Sequence, residues 1–274
     1  MTQRELSSQP RGANTLVDQN RRFYDALWSE ARLIEPRRFN TWPLVQSLLP
    51  ETGRRLEVGP GLRPRLPIEG THFADISAPA LSVLAEHGGQ TTLAEVTRLP
   101  FADATFDLVC ALDIVEHVDD GDGALAELVR VARPGAVLLM STPLHPSRWT
   151  AFDDFVGHKR RYQPAHLLAL LARNALAVER SAVFGMKPQS SRLVDLGMWW
   201  LTHHRELAMS TYNRSLMPLG LRFQKPLQLE PGLIAMDEVD EILLVCRKGR
   251  AAALNADGAP PRPWPGSAAP APSA

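Results

Sequence analysis

The sequence predicts an α/β protein on a doubly wound sheet of about seven strands with helices on both faces. Three observations predict it. From residue 55 onward, short apolar runs alternate with stretches of helical periodicity. The first run, Leu56-Glu57-Val58, empties into the bend Gly59-Pro60-Gly61. The last, Glu241 to Cys246, follows nearly sixty residues that such a sheet does not need.

Residues 1–13 are polar and read as a flexible N-terminus. From Thr15 to Ile34, Leu16, Phe23, Ala26, Leu27 and Ala31 recur at helical intervals, so 14–50 reads as a helical segment, broken up by Pro36, Pro43 and Pro50. Strands are predicted at 55–58, 71–74, 91–94, 106–112, 136–141, 177–183 and 241–246, and helices at 78–87, 122–133 and 164–173. Leu125, Leu128, Val129 and Ala132 place the second helix against the sheet, and Arg133-Pro134-Gly135 is expected to end it. Gln163-Pro164 suits the start of the third, with proline at the first helical position. Val58 and Thr71 lie thirteen positions apart with Pro60, Pro64 and Pro67 between them, so the first crossover is expected to be one turn or an irregular loop. Right-handed crossovers leave ligands at the C-terminal ends of the strands. The main domain is therefore 51–250, with a helical insertion at 185–236. In 251–274 alanine, proline, glycine and serine supply nineteen of twenty-four residues, which predicts a disordered tail.

Thirty basic and thirty acidic residues cancel, so no long-range attraction for a phosphate backbone is expected and nucleic acid is a poor partner. The clusters Arg21-Arg22, Arg37-Arg38, Arg54-Arg55 and Lys159-Arg160-Arg161 read as solvated surface. Cys110 and Cys246 sit in apolar runs as small buried hydrophobes, and no residues are assigned as metal ligands. No run approaches the ~18 apolar residues of a membrane span. The N-terminus has no signal-peptide core, so the cytoplasm is the default location.

The glycine bend carries the first chemical signal. A strand running into it brings backbone N–H groups close to a ligand. Glu57 adds negative charge there, which favours an ammonium or another cation. A dinucleotide pyrophosphate wants the reverse, and the third glycine of its motif is Pro64 here.

Four stretches in register then resemble the class I S-adenosylmethionine-dependent methyltransferases of small-molecule type. They are Leu56 to Gly61, Ala74-Asp75-Ile76-Ser77, Leu99 to Val109, and Glu127 to Gly135. The resemblance covers roughly 54–183 plus the final strand and implies a Rossmann-like fold with S-adenosyl-L-methionine as cofactor. It implies that Glu57 meets the cofactor's ammonium, that Gly59 and Gly61 lie against its methionine part, and that Asp75 binds the ribose hydroxyls. Ile76 is implied on the adenine face, Glu95 at the adenine amino group in place of the usual aspartate, and Val96 and Asp113 in the same pocket.

On the acceptor side the resemblance implies His117, in Asp113-Ile114-Val115-Glu116-His117, and His158, in Gly157-His158-Lys159-Arg160-Arg161-Tyr162, as catalytic proton acceptors. His145, Asp154, Arg161 and Tyr162 are implied substrate contacts, the arginine pair for a carboxylate or phosphate. For each of these, a helix cap or an ordinary surface ion pair is the competing reading. Arg63 stands where the family has its third glycine. Leu193 to Leu201, apolar on more than one face, reads as an acceptor lid, a subunit contact or internal packing.

The implied activity is in-line transfer of a methyl group to a small-molecule acceptor by a monomer or homodimer without a transmembrane segment. The alternatives are a cofactor-binding regulatory protein without turnover and a dinucleotide-dependent oxidoreductase.

Overall fold

The computed structural model describes residues 31–185 and 211–249, together with Trp28 and positions 199, 200, 203, 204 and 207. Most of the predicted helix over 15–34, most of the apolar stretch 193–201 and the tail 251–274 lie outside the described residues.

Eight strands form one sheet: β1 (Arg55–Val58), β2 (Thr71–Asp75), β3 (Gln90–Leu93), β4 (Phe106–Leu112), β5 (Ala132–Pro143), β6 (Leu176–Val183), β7 (Glu230–Pro231) and β8 (Glu241–Lys248). Their order is β3-β2-β1-β4-β5-β8-β6-β7. The pairs from β3 to β5 are parallel, and β8 runs antiparallel between β5 and β6. The order reverses between β1 and β4, which makes the C-terminal ends of those strands the switch point for a ligand. The predicted strands are all present, and the two-residue β7 is an eighth that no sequence pattern announced.

Among the described residues the helices include α1 (Trp42–Leu48), α2 (Ala78–Glu86), α3 (Gly121–Val131), α4 (Ala151–Val156), α5 (Pro164–Arg173) and α6 (Met217–Arg222). Leu125 and Leu128 of α3 and Leu167, Leu170 and Leu171 of α5 are buried in one core beside Val109, Leu138 and Leu244 of the sheet. Leu44 and Val45 of α1 and Leu66 fill a second core with Leu108, Leu139 and Leu243. Successive sheet residues thus alternate between two apolar layers. Each fully buried leucine contributes about 1.5–3 kcal/mol. Cys110 and Cys246 are buried free thiols.

Two expectations need adjustment. The helix predicted to run to 133 stops at Val131, because Ala132 is already extended and pairs with Phe106. Arg133-Pro134-Gly135 therefore lies within β5. Between β1 and β2 there is no helix, as the three prolines require.

Two of the matching sequence stretches are joined physically. Arg130 donates to Glu127 Oε2 at 2.8 Å, to the Phe101 and Leu99 carbonyls at 2.8 and 3.0 Å, and to Asp103 Oδ1 at 2.5 Å. Glu127 in turn accepts the Leu99 N–H at 2.8 Å. The turn ahead of β4 is thereby fixed to α3. Among the described residues, no helix is long and apolar enough to cross a membrane.

Candidate active site

Gly59 and Gly61 both adopt positive φ, 68° and 52°. A Cβ at Gly59 would come within 2.1 Å of Ile114 Cδ1, and one at Gly61 within 2.1 Å of the Trp28 ring. Only glycine fits either position, since the backbone is left-handed and apolar groups already press on it. Asp75, at the end of β2, accepts the Gly61 N–H at 2.9 Å through one oxygen and the Ser77 N–H at 2.9 Å through the other.

Glu57 is buried within β1 and accepts the N–H of Arg65 at 2.8 Å and of Leu66 at 2.9 Å. Neither Arg54 nor Arg55 pairs with it: Arg54 lies over Phe106, and Arg55 binds Thr71 and the Glu69 carbonyl. Burial raises the Glu57 pKa to about 7, and the backbone donors and Arg65 only partly offset this. The two acids therefore brace opposite ends of the same irregular crossover. Arg65, which sequence reasoning passed over, stacks 3.7 Å from the Phe39 ring centre and adds positive charge beside Glu57 and Asp113. Arg63 reaches Asn213 Oδ1 at 3.0 Å and lies over Trp28, tying the bend to the segment before α6.

Ile76 is half-buried just beyond β2, and Val96 is buried. Glu95 is exposed in a tight turn with Arg98.

At the tip of β4, Asp113 takes φ 54° and exchanges two hydrogen bonds with Ser141: its N–H donates to Oγ at 2.9 Å, and the hydroxyl donates to Oδ1 at 2.6 Å. Burial raises the Asp113 pKa from its ordinary value, against the lowering effect of the Ser141 hydrogen bond. Glu116 is fully buried in the short 3-10 turn that follows, with Oε2 3.5 Å from the Thr142 hydroxyl. Burial, then the charge of Asp113, pushes it well above an ordinary carboxylate.

The rings of His117 and His158 meet edge to face at 4.7 Å. Burial, then the neighbouring His158, lowers His117 to about 3, so it is a neutral imidazole and a weak base at pH 7. His158 is lowered by burial, while Asp153 pulls the other way. That carboxylate receives His158 Nδ1 at 2.9 Å, Arg161 Nε at 2.8 Å and Nη2 at 3.0 Å, and the Thr150 N–H and hydroxyl at 2.8 Å each. Burial would raise Asp153, but these donors outweigh it and hold it well below the usual range.

The remaining implied contacts are placed differently from one another. Arg161 is buried and bidentate on Asp153, so its cluster is not the solvated patch expected, and its fork is already matched inside the fold. Asp154 is exposed and accepts the Trp149 indole N–H at 3.0 Å. Tyr162 is buried in the core, its backbone bridging the end of β5, and it stacks on His166. His145, at φ 60°, hydrogen-bonds through Nε2 to the Met236 carbonyl at 2.8 Å and anchors the loop before β8. Sequence reasoning did not single out Asp153, which orients His158 and pairs with Arg161, or the buried Glu116. The capping box Thr150-x-x-Asp153 was the signal that could have found the first.

Residues 67–140 match the family model described as a methyltransferase domain. Over that stretch the chain is similar to methyltransferase domains. A probable S-adenosylmethionine-dependent methyltransferase of Mycolicibacterium smegmatis is 36% identical over 31% of this chain and 34% of its own length. A demethylmenaquinone methyltransferase of Mycolicibacterium paratuberculosis is 28% identical over 57% of this chain and 71% of its own. A solved S-adenosylmethionine-dependent methyltransferase of Thermotoga maritima, described as a possible histamine N-methyltransferase, superposes with a TM-score of 0.52 at 16% identity. That match covers 87% of this chain and 96% of the other and speaks to the fold. The chain spans about a third of the length of the first of these curated relatives. The first and the last of these three are named as S-adenosylmethionine-dependent.

Proposed function

We propose that the protein transfers a methyl group from S-adenosylmethionine to a small-molecule acceptor. The observation that supports it most is the convergence at one sheet end of the Gly59–Gly61 bend, the Asp75 carboxylate and the His117–His158 pair. The residues fit the cofactor chemically. Asp75 supplies acceptor oxygens for vicinal hydroxyls, and each carboxylate oxygen can accept more than one hydrogen bond. Ile76 and Ile114 offer half-buried apolar walls. Glu57 and Arg65 set a negative and a positive group side by side, which complements an α-amino acid end.

The cofactor supplies an already activated methyl group, so this chain's part is alignment. Holding two reactants in line can lower a barrier by about 7–11 kcal/mol. Of the two histidines, His158 keeps more base strength, because Asp153 fixes its tautomer and favours its protonated form. His117, at about 3, serves better as a neutral wall or hydrogen-bonding group.

A small acceptor is favoured over nucleic acid by the balanced charge and by the engagement of Arg161 within the fold. The relatives include both demethylmenaquinone and tRNA methyltransferases, so the assay needs both arms. The cytoplasm is the location that suits two free thiols. Incubating the protein with methyl-labelled cofactor and either a fractionated metabolite extract or total tRNA tests the reading. Label in a metabolite fraction supports it; label in tRNA alone contradicts it.

A further inference from the structure

Around Glu116 the acceptor end holds more unneutralised ligand atoms than proton transfer requires. The carboxylate of Glu116 is fully buried, and its Oε1 has no hydrogen-bond partner among the described residues. A buried carboxyl oxygen without a partner is costly, and a bound proton or a cation at that position relieves the cost. One ligand atom each from Glu116, His117 and His158 lies within 4.8 Å of the others. His158 donates from Nδ1 to Asp153, which leaves Nε2 as its ligand nitrogen. His117 hydrogen-bonds to the Gly157 backbone. Both imidazoles are thus oriented by an outer partner, one of them a carboxylate, as metal-bound histidines usually are.

We propose that Glu116, His117 and His158 form a binding site for one divalent transition-metal cation of the Zn2+ or Mn2+ class at the acceptor end of the active site. Two imidazoles and one carboxylate favour such ions over Mg2+ or Ca2+, which prefer all-oxygen sets. Ligands at about 2.0–2.2 Å from a cation lie roughly 3–4 Å apart, so side-chain adjustment of about an ångström closes the triad. The surroundings favour positive charge. Asp113 and Glu241, hydrogen-bonded to each other, add negative charge beside Glu116; of the positive groups, Arg161 is already matched by Asp153, while Lys159 lies toward His117. Three protein ligands leave coordination positions open for an acceptor oxygen, whose proton a bound cation makes easier to lose to solvent. The two imidazoles would then be ligands, and proton acceptance by His158 would not be needed. The role toward an acceptor rests on the methyl-transfer reading; binding of the cation does not.

The test is titration of chelator-stripped full-length protein with Zn2+ by calorimetry and with Co2+ by visible absorption. One equivalent should bind, with Co2+ bands of a low-coordinate nitrogen–oxygen site. His158→Ala and Glu116→Gln should each abolish the band, and Asp153→Asn should weaken binding about 10- to 100-fold. If a variant does not fold by circular dichroism, proton NMR of the unmodified protein decides instead. Two histidine ring signals should then vanish on adding one equivalent of Mn2+. The proposal is overturned if the folded protein binds neither ion, or binds equally well with His117 and His158 both replaced by alanine. Binding of S-adenosylmethionine measured in chelator separates the two readings: cofactor without metal sinks only this site, and metal without cofactor sinks only methyl transfer.

Discussion

Asp153 and His158 are joined by a 2.9 Å hydrogen bond to Nδ1, and the same carboxylate pairs with buried Arg161 at 2.8 Å. One side chain therefore both orients an imidazole at the acceptor end and neutralises a buried guanidinium. The arrangement follows from the N-terminus of α4, where Thr150 and Asp153 cap each other and turn Asp153 inward.

Asp153→Asn should be destabilising, since it leaves Arg161 as an uncompensated buried charge. Breaking such a pair from one side costs about 3–5 kcal/mol, to be read from urea denaturation. The pH dependence has a definite sign. Asp153 is held below its unfolded value, so its contribution is fully present above the ordinary aspartate pKa of about 3.9. It is lost as pH falls through the lower folded value. The unmodified protein should therefore lose stability in acid more steeply than the asparagine variant.

Glu57 should show the opposite sign. Its folded pKa of about 7 lies above the unfolded glutamate value. The native state then binds the extra proton, so the contribution is complete below the unfolded pKa, about 4.3, and is lost as pH rises through about 7. Glu57→Gln removes the charge and keeps one acceptor for the Arg65 or Leu66 N–H. Between pH 5 and pH 8 the melting temperature of the unmodified protein should fall more than that of the variant. An identical slope in both would rule out a raised pKa.

At the bend, Gly61→Ala should lose cofactor affinity and cost about 1–3 kcal/mol of stability, because φ is 52° and the added methyl meets Trp28. Combining it with Trp28→Ala should recover the steric part but not the backbone part. A double-mutant cycle in thermal unfolding measures that coupling. Strict additivity would mean that Trp28 does not press on the bend in solution.

What could be read from the residues alone was local. Gly-Pro-Gly after an apolar run, three prolines before Thr71 and the helical spacing of Leu125, Leu128 and Val129 each act over a few positions, and each predicted its element. Partner choice was not local. Whether Asp153 or Asp154 turns inward depends on Arg161, eight residues past Asp153, and on where the loop after α4 returns to the β5 tip. The contacts of Glu57 are not local either: it accepts backbone N–H groups from a crossover loop whose path no periodicity describes. The third-glycine replacement, Arg63, acquires its role from Asn213, 150 positions away.

The most direct measurement is calorimetric titration of S-adenosylmethionine and its demethylated product into the folded protein. One site is predicted, weakened at least tenfold by Asp75→Asn and less by His117→Ala. Silence toward both compounds, or a greater loss from the histidine replacement, would contradict it.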